Sequence, residues 1–98
     1  MGFNKSFRVI ITTLDVERPK PYPDAFLEGR RRLGTPIKDC AIVGDSVVDI
    51  RAGKAAGAKT IAVLTGLFDE KSLKQEKPDI IIRSITQLSS YLNVNAQI

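Results

Sequence analysis

Four short apolar runs divide the chain, each separated from the next by polar and turn-forming residues. They are Phe7-Arg8-Val9-Ile10-Ile11-Thr12-Thr13, Cys40-Ala41-Ile42-Val43, Thr60-Ile61-Ala62-Val63-Leu64 and Ile80-Ile81-Ile82. All are rich in β-branched or small apolar residues, so each reads as a strand. They are nearly continuous rather than alternating, the pattern of a parallel sheet covered on both faces. Helical segments fit between them. Pro19, Pro21 and Pro23 forbid regular structure until a helix starts with Pro23 as its first residue, where a missing N–H costs nothing. Phe26, Leu27 and Leu33 give that helix a buried stripe, and Gly34 with Pro36 ends it. A second helix spans about Val47 to Ala56, opened by the capping-box pattern Ser46-x-x-Asp49 and closed by Gly57. Asp69 to about Glu76 predicts a short helix, and Ile85, Leu88 and Leu92 mark a closing amphipathic one. The order β-α-β-α-β-α-β-α predicts an α/β fold, a three-layer Rossmann-like parallel sheet.

Ninety-eight residues make a single domain, residues 1–98. Only 6% of residues are aromatic and none is tryptophan. Val, Ile, Leu and Ala must therefore build the core. The net charge of +4 has one dense basic run, Arg30-Arg31-Arg32. A nucleic-acid footprint would interleave aromatics for stacking, and none are there, so the run reads as a solvated helix face. No nucleic-acid partner is expected. A lone cysteine, Cys40, cannot close an internal disulfide, which suits a reducing, cytoplasmic setting. No histidine occurs anywhere, which removes histidine-based triads and most zinc sites and makes Cys40 a small buried hydrophobe. No apolar run approaches the roughly 20 residues of a membrane span, so no membrane partner is expected.

Ligands of open parallel sheets bind beyond the carboxyl ends of the strands. Gly44, Asp45 and Ser46 stand there after the second strand, Thr65 and Gly66 after the third, and Asp15 after the first. Magnesium takes one or two protein carboxylates and completes its octahedron with water and phosphate oxygens. Asp45 suits a direct ligand. Asp49, one helical turn on, suits a group that orients a bound water, although its spacing equally suits a helix cap. Taken alone, Asp45 could also be an ordinary loop aspartate and Lys20 an ordinary solvated lysine. Gly44 reads as a turn residue and Gly57 as a helix C-cap.

Taken together, the residues resemble the haloacid dehalogenase (HAD) superfamily of phosphohydrolases from the Phe7 strand to about Leu92. Lys20-Pro21-Tyr22-Pro23-Asp24 looks like that family's third motif, and Gly44-Asp45-Ser46-Val47-Val48-Asp49 like its fourth. The continuation Ile50-Arg51-Ala52-Gly53-Lys54-Ala55-Ala56-Gly57-Ala58, then Val63-Leu64-Thr65-Gly66, is similar to the phosphoglycolate phosphatase and pyrophosphatase-like branch. The resemblance implies Lys20 as the catalytic, phosphate-neutralising residue and Ser46 as a further phosphate contact. It also implies Asp45 and Asp49 at a Mg2+ site, and a phosphorylated small molecule as substrate.

The departure is as specific as the match. The family's Asp-x-Asp-x-Thr/Val motif, which supplies the nucleophile, does not occur in this chain, nor does the second motif's phosphate-binding Ser or Thr. Thr13-Leu14-Asp15-Val16-Glu17 reads Asp-x-Glu and sits only a few residues before Lys20. Asp15 therefore belongs with the third motif rather than the first. A truncated core, inactive by itself, is the expectation. The alternative is a non-catalytic α/β module that dimerises or binds a partner through an open sheet edge. The resemblance implies that two further strands separate the first strand here from the second. Without them, the first strand either closes up beside Cys40–Val43 in a compact monomer or leaves an edge for a homodimer.

Overall fold

The computed structural model describes residues 8–10, 18, 20–64, 69–84 and 87. Strand β1 spans Arg8–Ile10, β2 Cys40–Gly44, β3 Lys59–Val63 and β4 Ile80–Ile82; helix α1 spans Asp24–Leu33, α2 Val47–Ala56 and α3 Glu70–Gln75. The strands form one parallel sheet in the order β1-β2-β3-β4. Arg8 pairs with Cys40 and Ile10 with Ile42. The first strand has thus closed up beside the second, one of the two arrangements open from the sequence.

Alternation along each strand divides the core. Val9, Ala41, Val43, Ile61, Val63 and Ile82 cluster on one face. Ile10, Cys40 and Ile42 point to the other, where they meet Phe26 of α1 and Ala52 and Ala56 of α2. A neighbouring cluster joins Ile50 of α2, Ala62 of β3 and Leu73 of α3. Both faces are buried, as continuous apolar strands require.

The helix limits follow from local chemistry. α1 ends where Gly34 turns left-handed, at φ 66°, and α2 ends at Gly57, φ 90°. That conformation suits glycine and closes a helix C-terminus. Asp69 caps α3 by accepting from the Ser72 backbone N–H at 2.8 Å. The α1 stripe is corrected in one respect. Phe26 is buried, but Leu27 is 39% exposed, and Ala25 and Gly29 take the inward positions instead. At about 100° per residue, Ala25, Gly29 and Phe26 fall within one arc of the helix, and Leu27 lies about 100° beyond it. A single 3₁₀ turn, Ile37–Asp39, leads into β2 and was not expected. Asp15, Thr65, Gly66 and the closing helix expected around Ile85, Leu88 and Leu92 lie outside the described residues.

Candidate functional site

Parallel pairing of β1 with β2 sets their carboxyl ends side by side, and β2 runs through Gly44 directly into Asp45, Ser46 and α2. Lys20, just before α1, comes to the same place. Its Nζ donates to Asp49 Oδ1 at 2.5 Å across 29 residues of sequence. The other Asp49 oxygen, Oδ2, accepts from Ser46 Oγ at 2.9 Å, while Ser46 Oγ accepts from the Asp49 backbone N–H at 3.2 Å. Ser46 Oγ therefore caps α2 as the spacing suggests, while the Asp49 carboxylate takes the Ser46 hydroxyl rather than its backbone N–H and also anchors the lysine. Side-chain exposures of 29% for Lys20 and 11% for Asp49 make this neither a surface pair nor a sealed one. Its loss should cost more than the ~0–1 kcal/mol of an exposed pair and less than the ~3–5 kcal/mol of breaking a buried one.

Gly44 makes this geometry possible for a reason other than turn formation. Its backbone is not in the left-handed region, whereas Gly34 and Gly57 are. A Cβ at Gly44 would collide with Asp49 Cβ and lie 2.6 Å from both Cγ and Oδ2. Close approach, and not backbone freedom, requires glycine there.

Phe26, not singled out from sequence for this purpose, supports the lysine, and an Arg18–Asp24–Tyr22 cluster forms in the same segment. Lys20 Nζ lies 5.8 Å from the centroid of the Phe26 ring, which is 1% exposed. Arg18 forms a fork with Asp24, Nε to Oδ2 at 3.2 Å and Nη2 to Oδ1 at 3.1 Å, and its guanidinium stands 4.9 Å from the Tyr22 ring centroid. Spacing gave Phe26 only a core role, because a contact from the loop onto its ring is tertiary. Cys40 is free and buried among apolar neighbours, with burial first and Asp39 second pushing its thiol pKa up. It is no nucleophile.

Asp45 is exposed and makes no hydrogen bond or ion pair among the described residues. No group of three or more His, Cys, Asp or Glu able to hold a metal occurs among the described residues. Asp45 and Asp49 nevertheless supply hard oxygen donors of the kind and number that magnesium takes from protein when water and phosphate complete its shell. The donor chemistry fits magnesium, with Asp45 open and Asp49 already engaged by Lys20 and Ser46.

A family model described as HAD-hydrolase-like matches residues 17–88, which contain Lys20, Gly44, Asp45, Ser46 and Asp49. The chain belongs to the HAD-hydrolase-like family. This HAD-like chain is 34% identical over 96 residues to the pyrophosphatase PpaX of Halalkalibacterium halodurans, covering 98% of this chain and 45% of that protein. It is 37% identical over 84 residues to the phosphoglycolate phosphatase of Escherichia coli K12, covering 86% of this chain and 33% of that protein. Among solved structures, a HAD family hydrolase of Deinococcus radiodurans with bound phosphate and sodium superposes with a TM-score of 0.67 at 28% identity. That match covers 72% of this chain and 33% of that one. The HAD-like chain thus spans less than half the length of these relatives. The α/β fold with its parallel sheet is that of the family. No helix among the described residues is long and apolar enough to cross a membrane.

Proposed function

We propose that these residues form the phosphate-and-magnesium half of a phosphomonoester hydrolase site. The observation that carries this reading is the contact of Lys20 with Asp49 at the N-terminus of α2, which joins two motifs 29 residues apart. A helix N-terminus has unpartnered N–H groups and a partial positive charge, so it attracts phosphate. Lys20 adds a full charge beside it. Asp45 would hold the magnesium ion and Asp49 would steady both Lys20 and the ion's water shell, while Ser46 can donate its hydroxyl to the phosphate by turning it away from Asp49 Oδ2, its oxygen still capping the Asp49 N–H. When bound, magnesium would neutralise charge on the transferring phosphoryl oxygens. The relatives named as phosphatases, and the neighbour with bound phosphate and sodium, support this reading. The substrate class is a phosphorylated small molecule.

Hydrolysis in the family proceeds through attack of an aspartate on phosphorus, followed by water attack on the aspartyl-phosphate. No Asp-x-Asp-x-Thr sequence occurs in these 98 residues. We therefore expect negligible turnover of generic phosphomonoesters by this chain alone. The test is a magnesium titration followed by amide shifts. Residues 44–49 should respond at millimolar magnesium, and Asp45→Asn should abolish the response. An unchanged response in Asp45→Asn, or none in the wild type, refutes the assignment. Sustained magnesium-dependent turnover lost in Asp15→Asn would refute the expected inactivity.

The second reading, a non-catalytic module pairing through its sheet edge, draws on the position of β1 at one end of the strand order. A homodimer by light scattering at micromolar concentration would favour it, and a monomer would count against it.

A further inference from the structure

We propose that the opposite, amino-terminal end of the sheet carries a second anion site, suited to a small ligand with two or more adjacent phosphate groups. An open pocket of about 680 Å³ lies there, lined by Lys38, Lys54, Gly57, Ala58, Lys59 and Asp79. The volume is that of a nucleotide-sized ligand. Three separate elements deliver the three lysines: the 3₁₀ turn before β2, the last turn of α2 and the first residue of β3. All three are exposed, and none has an ion-pair partner within 4.0 Å among the described residues.

The nearby carboxylates are committed elsewhere. Asp79 Oδ2 accepts from the Thr60 backbone N–H at 2.8 Å and from Thr60 Oγ1 at 3.2 Å. Glu76 lies close enough to feel Lys54, but Arg51 holds it in a two-bond fork at 2.9 and 3.0 Å. Several basic residues elsewhere are paired. Arg31 and Arg32 share Glu28, Lys74 takes Glu70, and Arg18 takes Asp24.

One cation would complement the C-terminus of α2, whose dipole carries about half a negative charge. Lys54 does that. With Asp79 offsetting one further charge, Lys38 and Lys59 still leave the concavity net positive, and like charges brought together favour a multivalent anion that bridges them. The site is distinct from the candidate site, since Lys38 and Asp45 flank opposite ends of a five-residue strand, about 16 Å long.

The test titrates the 98-residue chain, without metal, with inorganic tripolyphosphate while amide shifts and heats are recorded. Shifts should centre on residues 38, 54–59 and 79. Binding should weaken several-fold between ~50 and ~300 mM salt, because screening shortens the reach of exposed charges. Lys38→Gln, Lys54→Gln and Lys59→Gln should each cost about 2- to 5-fold, the worth of one exposed pair. The triple variant should lose more than about 10-fold while melting as the wild type does. Lys71→Gln should bind normally, and Lys20→Gln should leave the shifts at residues 38, 54–59 and 79 unchanged. Loss in Lys20→Gln but not in the triple variant would assign the binding to the first site and overturn the proposal. Orthophosphate binding as tightly as tripolyphosphate, or no binding at all, would overturn it too. So would a single-stranded oligonucleotide that outcompetes tripolyphosphate and moves its shifts onto Arg30–Arg32.

Discussion

Gly53→Ala sets two known effects against each other within α2. In an exposed helix this change is stabilising by about 1 kcal/mol, because alanine is the better helix former. Gly53, however, faces the sheet. A Cβ there would collide with Ile42 Cγ1, lie 2.5 Å from Ile42 Cδ1 and stand 2.9 Å from Thr60 Cγ2. Ile42 and Thr60 are both 0% exposed, and both are branched at Cβ. Neither has a free rotamer or solvent to retreat into. Overpacking of this kind costs about 1–3 kcal/mol, and three close contacts with enclosed strand residues argue for the upper end. The overpacking term wins, leaving a net loss of about 2 kcal/mol, or roughly 8–16 °C in melting temperature for a domain this size. Urea denaturation of the wild type and variant measures it. Ile42→Val supplies the control: alone it should cost about 0.5–1.5 kcal/mol, and in the Gly53→Ala background clearly less. A variant as stable as the wild type, or strict additivity with Ile42→Val, would refute the reasoning. Because α2 carries Ser46 and Asp49 at its start, a shifted helix should also blunt the magnesium response.

Gly44→Ala should displace Asp49, break its contact with Lys20 and cost about 1–3 kcal/mol; denaturation measures the cost, and residues 44–49 should no longer respond to magnesium. Glu28 is held at a pKa of about 2, against an ordinary 4.5, by the Arg31 hydrogen bond first and the Arg32 hydrogen bond second. With the folded value depressed, its contribution is full above about 4.5 and lost as pH falls towards about 2, so Glu28→Gln should flatten that part of the acid limb. An NMR titration of the Glu28 carboxyl checks the value directly. Cys40 should react slowly with thiol reagents in the folded chain and quickly in urea, because burial pushes its pKa up.

The apolar runs were legible because a strand buried on both faces needs nothing but short, branched, apolar residues. Cys40–Gly44, Lys59–Val63 and Ile80–Ile82 fall within a residue or two of their reading. α2 was readable at both ends, since Ser46 and Gly57 each satisfy a terminus by themselves. The inward face of α1 was not. Leu27 is the larger apolar residue, yet Ala25 and Gly29 are the ones buried, because α1 packs against both α2 and the sheet and small residues fit where elements approach closely. Gly44 and Gly53 were misjudged or passed over for the same reason. Sequence shows that a residue is glycine, and only the packing partner shows whether conformation or space demands it.

The candidate site follows the same division. Lys20, Asp45, Ser46 and Asp49 could be named from two motifs, but their motifs say nothing about where β1 sits, and that position sets how the lysine reaches Asp49 here. If two strands stood between β1 and β2, their carboxyl ends would lie about 14 Å apart instead of under 5 Å. Here the register of Ile10 on Ile42 brings the ends together, and Lys20 spans the remaining distance over the buried Phe26 ring. The contact with Asp49 thus depends on a strand pairing that no local motif encodes. Disrupting that pairing should release Lys20 even with every site residue intact. Val9→Pro tests this, since proline can neither donate to nor fit a paired interior position. Persistence of the Lys20–Asp49 contact in that variant, judged by unchanged shifts at residues 44–49, would show that α1 and α2 alone hold the site and that β1 is dispensable to it.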